Sequence, residues 1–173
     1  MAETAEISLS RNRIMALGIA ATIFIADQLS KWVVISALGL PRQGVIDIAP
    51  IFDLRWVENR GVSMGLLTAS SEWQRWLLVA LTALISIGVF LWIWRERNRM
   101  DTVALSFVLG GALGNIVDRI RYGYVADFLD LHFGEWRPFL IFNVADAAIT
   151  IGVLLLVVRA LLTRDKKIPR KEV

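Results

Sequence analysis

Two short motifs in the chain place an asparagine three residues before an aspartate. Asn115 and Asp118 form one motif, and Asn143 and Asp146 form the other. Asp146 is the single formally charged residue in the apolar run 139–158. A carboxylate inside a membrane-spanning helix costs on the order of 3 kcal/mol or more, so it rarely occurs without a structural or chemical role.

A pair of carboxylates could give such a residue a chemical role. Two carboxylates within hydrogen-bond reach share one proton, because both cannot ionise cheaply. The charged one can take a proton from a water, and the protonated one can polarise a carbonyl and help protonate the leaving amine. This is aspartyl-peptidase chemistry. Asp127 in the segment VADF is a second acidic candidate, although spacing alone does not place it beside Asp146.

Composition limits the classes of protein to which the chain can belong. It has 173 residues, 56% hydrophobic, with seven tryptophans and a mean hydropathy of +0.57, which is typical of a membrane protein with interfacial aromatic belts. The net charge of +3 is modest and unevenly placed, so it does not argue for a nucleic-acid partner. The absence of cysteine excludes disulfides, thiolate metal sites and cysteine nucleophiles, and the single His132 argues against a Ser-His-Asp triad or a multi-histidine zinc site.

Four segments are long and apolar enough to cross the roughly 30 Å hydrocarbon core of a bilayer as helices. The predicted spans are about 14–38, 76–94, 102–118 and 139–162. Basic clusters precede the first span, separate the second from the third, and follow the fourth: Arg11 and Arg13; Arg95, Arg97 and Arg99; Arg159, Arg164, Lys166, Lys167, Arg170 and Lys171. The positive-inside rule therefore predicts that both termini are cytoplasmic. Arg11 and Arg13 before an apolar run also resemble a signal peptide, but Asp27 and Lys31 within that run favour a retained span.

The segments between the first and second spans and between the third and fourth spans face the outside in this topology. Within 44–75, Phe52, Leu54 and Trp56 alternate with Asp53 and Arg55, which predicts a half-buried strand. The following LLTASSEWQRW, 66–76, predicts a short interfacial helix, and 119–138 predicts a loop on the membrane surface. We thus expect one membrane domain over residues 1–163 and a disordered basic tail over 164–173.

The polar residues of the spans map to their outer ends. Asp27 and Lys31 lie one helical turn apart and can form a structural ion pair. Asn115, Asp118 and the adjacent Arg119 can form an interhelical hydrogen-bond network, and Gly110, Gly111 and Gly114 allow close helix packing. Ionisable groups gathered at one depth also indicate a site.

Five blocks, in this order, carry a resemblance that extends from about Ile14 to Leu162. They are DQLSK (27–31), NRGVSMG (59–65), GGALGNIVDR (110–119), VADF (125–128) and FNVADA (142–147). Together they resemble the bacterial lipoprotein signal peptidase, or signal peptidase II, family. Met64 occupies a position that this family often fills with Phe, and we expect that difference to be neutral.

The resemblance implies an all-α membrane protein with four transmembrane helices, a small extracytoplasmic β-cradle (about 44–75) and a short interfacial helix. It implies an inner-membrane aspartyl endopeptidase that cleaves diacylglyceryl-modified prolipoproteins on the amino side of the lipidated cysteine, near the extracytoplasmic surface. No metal or cofactor is implied, and the implied partners are those substrates, membrane lipids and globomycin-type cyclic peptides, with a monomer as the simplest assembly. By position, the catalytic pair falls on Asp127 and Asp146. The supporting motif positions fall on Asp27, Lys31, Asn59, Gly61, Asn115, Asp118, Arg119 and Asn143.

Three alternatives stay open at this point. A small proton- or ion-coupled transporter would use Asp27, Lys31 and Asp146 as a relay, but a relay needs steps through the whole bilayer and these groups gather at one boundary. A non-catalytic scaffold would not need the Asn-x-x-Asp spacing beside an outside aspartate. Metal-dependent hydrolysis predicts loss of activity with a chelator.

Overall fold

Four long helices dominate the computed structural model, which describes residues 2–62, 67–68 and 72–164. They are α1 (Ala2–Trp32, continued by a π-helical turn over Val33–Ala37), α3 (Glu72–Arg95), α4 (Arg99–Arg121) and α5 (Val144–Arg164). Within them, four stretches are long and apolar enough to cross a membrane: Leu9–Ala37, Glu72–Arg95, Arg99–Arg121 and Val144–Thr163. The predicted number and order of spans are confirmed.

The fourth helix begins five residues later than predicted. Residues 139–143 are not helical, because Phe142 pairs with Leu129 through backbone hydrogen bonds of 2.8 and 3.1 Å. Asn143 then caps the helix, since its Oδ1 accepts the backbone N–H of Asp146 at 2.9 Å. The span therefore starts at Val144, and Asp146 lies in its first turn.

Helix α4 occupies the centre of the bundle. In its spanning window 56% of residues are buried, against 22%, 22% and 17% in the spans of α1, α3 and α5. Close packing explains its glycines: a Cβ on Gly110 would lie 2.6 Å from the Ala20 carbonyl of α1, and one on Gly111 would collide with the Ala145 carbonyl of α5. The predicted packing role of these glycines is confirmed.

A small antiparallel sheet caps one end of the bundle. Its strand order is β1 (Val45–Ala49), β2 (Phe52–Asn59) and β5 (Val125–Leu131), and a short helix α2 (Leu40–Gln43) precedes it. A separate hairpin pairs β3 (Gly61–Val62) with β4 (Leu67–Thr68). The predicted strand around 52–57 is confirmed as β2, and the pairing of β2 with β5 sets Val57 opposite Asp127.

Two predictions for the segments between spans are wrong. Residues 125–131 form the edge strand β5 and not a surface loop, because β2 offers its backbone edge to them. The segment 66–76 contains no separate helix in its described part, since 67–68 pair as a strand and residues from Glu72 onward belong to α3. Arg164, the first residue of the predicted tail over 164–173, is the last residue of α5. Met64, Gly65 and residues 165–173 lie outside the described residues.

Candidate active site

A buried ion cluster joins α1 to α4 at the end of the bundle that carries the sheet. Lys31 Nζ lies 2.7 Å from Asp27 Oδ2 and 2.7 Å from Asp118 Oδ2, and all three residues are at most 2% exposed. The remaining lone pairs of the carboxylates are used as well. Asp27 Oδ1 accepts the Ala145 N–H at 3.0 Å, and Asp118 Oδ2 accepts the Ala126 N–H at 3.2 Å. The cluster thus ties α1, α4, α5 and β5 together, which fixes the elements that carry the two candidate catalytic aspartates.

Asn143 connects the two candidate catalytic aspartates. Its Nδ2 donates to Asp127 Oδ1 at 2.6 Å, and its backbone N–H donates to Asp146 Oδ2 at 3.2 Å. Both carboxylates are therefore hydrogen-bonded to one residue that is itself fully buried. The structure brings a strand residue and a helix residue, 19 positions apart in the sequence, to the same point.

Two further asparagines complete the hydrogen bonds of the pair. Asn59 Nδ2 donates to Asp127 Oδ2 at 3.0 Å, and Asn115 Nδ2 donates to Asp146 Oδ1 at 2.8 Å. Each of the four carboxylate oxygens thus accepts one hydrogen bond from a fixed donor. This arrangement holds both carboxylates in place, and since a carboxylate oxygen can accept more than one hydrogen bond, each can also accept from a water or a peptide N–H.

The electrostatics of the pair are asymmetric. Burial, together with the nearby charge of Asp146, raises the pKa of Asp127 to about 7, although hydrogen bonds from Asn59 and Asn143 act in the opposite direction. Asp146 lies in the first turn of α5, where the helix dipole favours a negative charge. The half-buried Arg119 is attracted by three carboxylates, most strongly by Asp146 and less strongly by Asp127 and Asp118.

Two cavities, both lined in part by Phe139 and Leu140, reach the pair. One, of about 630 Å³, is lined by Asn59, Gly61 and Asp127 among others. The other, of about 340 Å³, is lined by Asp146 together with apolar side chains of β5 and of the first turns of α5. Each of the two candidate catalytic carboxylates therefore lines one of these cavities.

All ten predicted site residues lie at this end of the bundle. Gly61 contributes its backbone N–H, which donates to Asn59 Oδ1 at 3.2 Å. Among the described residues no group of three His, Cys, Asp or Glu side chains is arranged to hold a metal ion.

Sequence reasoning missed two parts of the site. Gln28 donates from Nε2 to Asp27 at 3.2 Å and to Asp118 at 3.0 Å, and its place beside Asp27 gave the only signal. Asp130 is fully buried and accepts from Arg55 at 2.9 Å and from Arg137 at 3.1 Å. These two guanidinium groups hold the pKa of Asp130 below its usual range despite its burial. Arg137 is the first residue of the segment 137–141, which forms one wall of the larger cavity. No spacing rule links Arg137 to Asp130, seven positions earlier in the sequence.

The fold and the site define a multi-pass membrane protein with a polar, enclosed carboxylate site at one end of its helix bundle. The family model for signal peptidase (SPase) II matches residues 19–162. The chain therefore belongs to the signal peptidase II family and is a membrane-embedded peptidase.

Individual relatives agree with the family match. The chain is 60% identical over 164 residues, 95% of each protein, to the lipoprotein signal peptidase of Rhizorhabdus wittichii. It is 52% identical over 147 residues, 85% of each protein, to that of Sphingopyxis alaskensis. A solved bacterial membrane enzyme structure is 29% identical and superimposes with a TM-score of 0.77 over 92% of this chain and 94% of the other.

These similarities confirm the predicted family, the peptidase activity and the multi-pass placement in a bacterial inner membrane. They give no support to the transporter alternative.

Proposed function

We propose that the chain is an aspartyl endopeptidase in which Asp127 and Asp146 are the catalytic pair. The observation that carries this proposal is their joint attachment to Asn143, through contacts of 2.6 and 3.2 Å. The asymmetry of the site supports different roles for the two groups. Asp127 is the protonated partner because burial beside Asp146 raises its pKa, and Asp146 is the base because it lies in the first turn of α5, where the helix dipole favours a negative charge.

The proposed reaction has two steps with balanced proton transfers. A water attacks the scissile carbonyl carbon while Asp146 takes one of its protons and Asp127 gives its own proton to the carbonyl oxygen, which forms a gem-diol. Asp146 then gives its proton to the amide nitrogen, the C–N bond breaks, and Asp127 takes back a proton from a gem-diol hydroxyl. The products are a carboxylic acid and an amine, and the pair returns to its starting protonation.

The supporting residues hold this pair in its working geometry. Asn59, Asn115 and Asn143 fix the carboxylates by direct donation, and the ion cluster around Lys31 fixes the helices that carry them. Rigid support of this kind keeps reacting groups within about 0.5 Å of a productive geometry.

The substrate we propose is a diacylglyceryl-modified prolipoprotein, cleaved on the amino side of its lipidated cysteine. The larger cavity has polar lining residues such as Asn59 and Arg60, which suit an extended peptide. The smaller cavity continues onto the apolar first turns of α5, which suit a segment embedded in the bilayer. Relatives named lipoprotein signal peptidase support this substrate class.

The basic clusters at the opposite ends of the helices support cytoplasmic termini and an extracytoplasmic site. From the family membership we also propose that a globomycin-type cyclic peptide binds at the pair and competes with substrate, and we propose a monomer in contact with membrane lipids as the simplest assembly.

The test is the rate of signal-peptide release from a diacylglyceryl-modified prolipoprotein by the purified protein. Asp127→Asn and Asp146→Asn should each lower the rate at least about 10³-fold, since each removes one half of the proton transfer. Asp47→Asn, on the exposed part of β1, is the matched control and should keep the full rate. Release that survives either active-site substitution contradicts the pair, and release that stops with a chelator replaces it with a metal mechanism.

A further inference from the structure

The orientation of an amide side chain is decided by its neighbours. One end of an asparagine amide can only accept a hydrogen bond and the other can only donate. A backbone N–H or a lysine ammonium can only donate, so such a group forces the amide oxygen to face it. The NH₂ end then points the other way.

All three asparagines around the catalytic pair have their oxygen held by such a donor. Asn59 Oδ1 faces the Gly61 N–H at 3.2 Å, and Asn143 Oδ1 faces the Asp146 N–H at 2.9 Å. Asn115 Oδ1 differs, because it faces a side chain, Lys31 Nζ, at 3.3 Å. Asn143 Nδ2 donates to the same oxygen, also at 3.3 Å. This contact is weaker because its donor is a neutral amide and not a charged ammonium.

Lys31 is itself held rigidly in a donating position. Its ammonium lies between Asp27 and Asp118 at 2.7 Å from each, and the residue is 2% exposed. Its third proton is then directed at Asn115 Oδ1. Because Asn115 Oδ1 accepts from Lys31, Asn115 Nδ2 must donate to Asp146 Oδ1, at 2.8 Å.

We propose that Lys31 is a positioning residue that acts on Asp146 through Asn115, by fixing the amide so that its NH₂ end faces the catalytic carboxylate. This inference rests on the proposed catalytic pair. Without the lysine the amide can turn over and present its oxygen to Asp146, which would repel the ionised form that the reaction needs. The acid limb of the activity profile would then move to higher pH.

A direct effect of the lysine charge would act in the same direction, so the test must separate the two. The charged groups around the pair come from several elements: Asp27 and Lys31 from α1, Glu58 from β2 and Arg60 just after it, Asp118 and Arg119 from α4, Asp127 from β5, Arg137 from the cavity wall and Asp146 from α5. Charge interaction between Lys31 and the pair does not pass through Asn115. It would therefore persist when Asn115 is replaced, whereas an effect through the amide would vanish.

The experiment is a double-mutant cycle with Lys31→Met and Asn115→Leu. Two readouts follow the pair in each variant: the pH dependence of prolipoprotein cleavage, and infrared titration of ¹³C-labelled aspartate carboxyls, which needs no turnover. Asp146→Asn identifies the infrared band that belongs to Asp146. Lys31→Met should move the acid limb of cleavage to higher pH and change the frequency of this infrared band, and the same substitution in the Asn115→Leu background should change neither any further.

Two more variants keep the result interpretable. Asp27→Asn/Lys31→Met keeps the net charge of the cluster, so it should give the same shift if Lys31→Met alone does not fold. Ser86→Ala removes a buried hydrogen bond of 2.8 Å to the Thr82 carbonyl within α3 and none to Asn115, so it should lower stability without moving the limb.

Two results would overturn the inference. One is an acid limb that does not move in Lys31→Met or in Asp27→Asn/Lys31→Met. The other is a shift of the acid limb that is equal with and without Asn115. Failure of the proposed function is separately visible, because Asp127→Asn or Asp146→Asn would then still cleave.

Discussion

Asp127→Asn should change the pH dependence of stability in a direction that follows from the pKa of Asp127. Burial beside Asp146 raises this pKa from 3.8 to about 7. A folded-state pKa above the unfolded value contributes stability that is fully present below pH 4 and is lost as pH rises through about 7. With 1.36 kcal/mol per pKa unit, wild type loses about 4 kcal/mol across this window relative to a variant that does not titrate.

The substitution also has a cost that does not depend on pH. Both oxygens of Asp127 accept from amide NH₂ groups, those of Asn143 and Asn59. An asparagine at 127 would set its own NH₂ against one of these donors, which costs about 1–3 kcal/mol. We therefore expect the variant to be less stable than wild type at pH 4 and more stable at pH 8.

The assay is thermal unfolding in detergent from pH 4 to pH 8, followed by the fluorescence of the seven tryptophans. Between the two limits the difference in Tm, variant minus wild type, should rise by roughly 10 °C, since about 1 kcal/mol corresponds to 2–4 °C for a chain of this size. Asp130→Asn is the matched control on the same strand. Arg137 and Arg55 lower the pKa of Asp130, so this variant should show a constant loss over the window. A constant Tm difference for Asp127→Asn would refute the electrostatic reasoning.

Three other predictions concern the rate, the cleft wall and the helix packing. Cleavage should decline as pH rises through about 7, because Asp127 loses the proton that it donates; a kcat profile that stays level up to pH 9 would contradict this. Arg137→Met should raise KM several-fold with a smaller change in kcat, because its ion pair anchors the cavity wall, whereas the exposed Arg42→Met in α2 should leave both constants unchanged in the same kinetic assay. Gly152→Ala should lower Tm because its Cβ would lie 2.6 Å from a carbonyl of α4, while Gly88→Ala, with open space around it, should raise stability by about 0.5–1 kcal/mol.

The sequence predicts the spans because length and apolarity act locally. The interval of three between Asn143 and Asp146 indicates a site at the outer start of the fourth span, and the structure adds that this interval forms a helix cap. Asn143 caps the helix through its side chain and holds Asp146 through its backbone, so the motif marks a helix start and not a helix interior. The helix starts where the preceding backbone stops pairing with a strand. Here Phe142, one residue before the cap, pairs with Leu129 of β5, which the local sequence around Asn143 does not contain.

The position of Asp127 illustrates what local patterns do not contain. VADFLDL has no regular alternation of apolar and polar residues, because the strand is buried on both faces and its aspartates face different partners. Asp127 meets Asn143 and Asn59, whereas Asp130 meets two arginines. These contacts join residues as many as 75 positions apart, and only the folded chain brings them together.

The most direct test of the central claim is the identity of the bond that is cut and its dependence on both aspartates. A diacylglyceryl-modified prolipoprotein would be incubated with the purified protein, and both products would be identified by mass spectrometry. We expect one product that begins with the lipidated cysteine, formed by wild type with or without a chelator and absent for Asp127→Asn and for Asp146→Asn. Cleavage at a different bond, or the same product from either variant, would contradict the account.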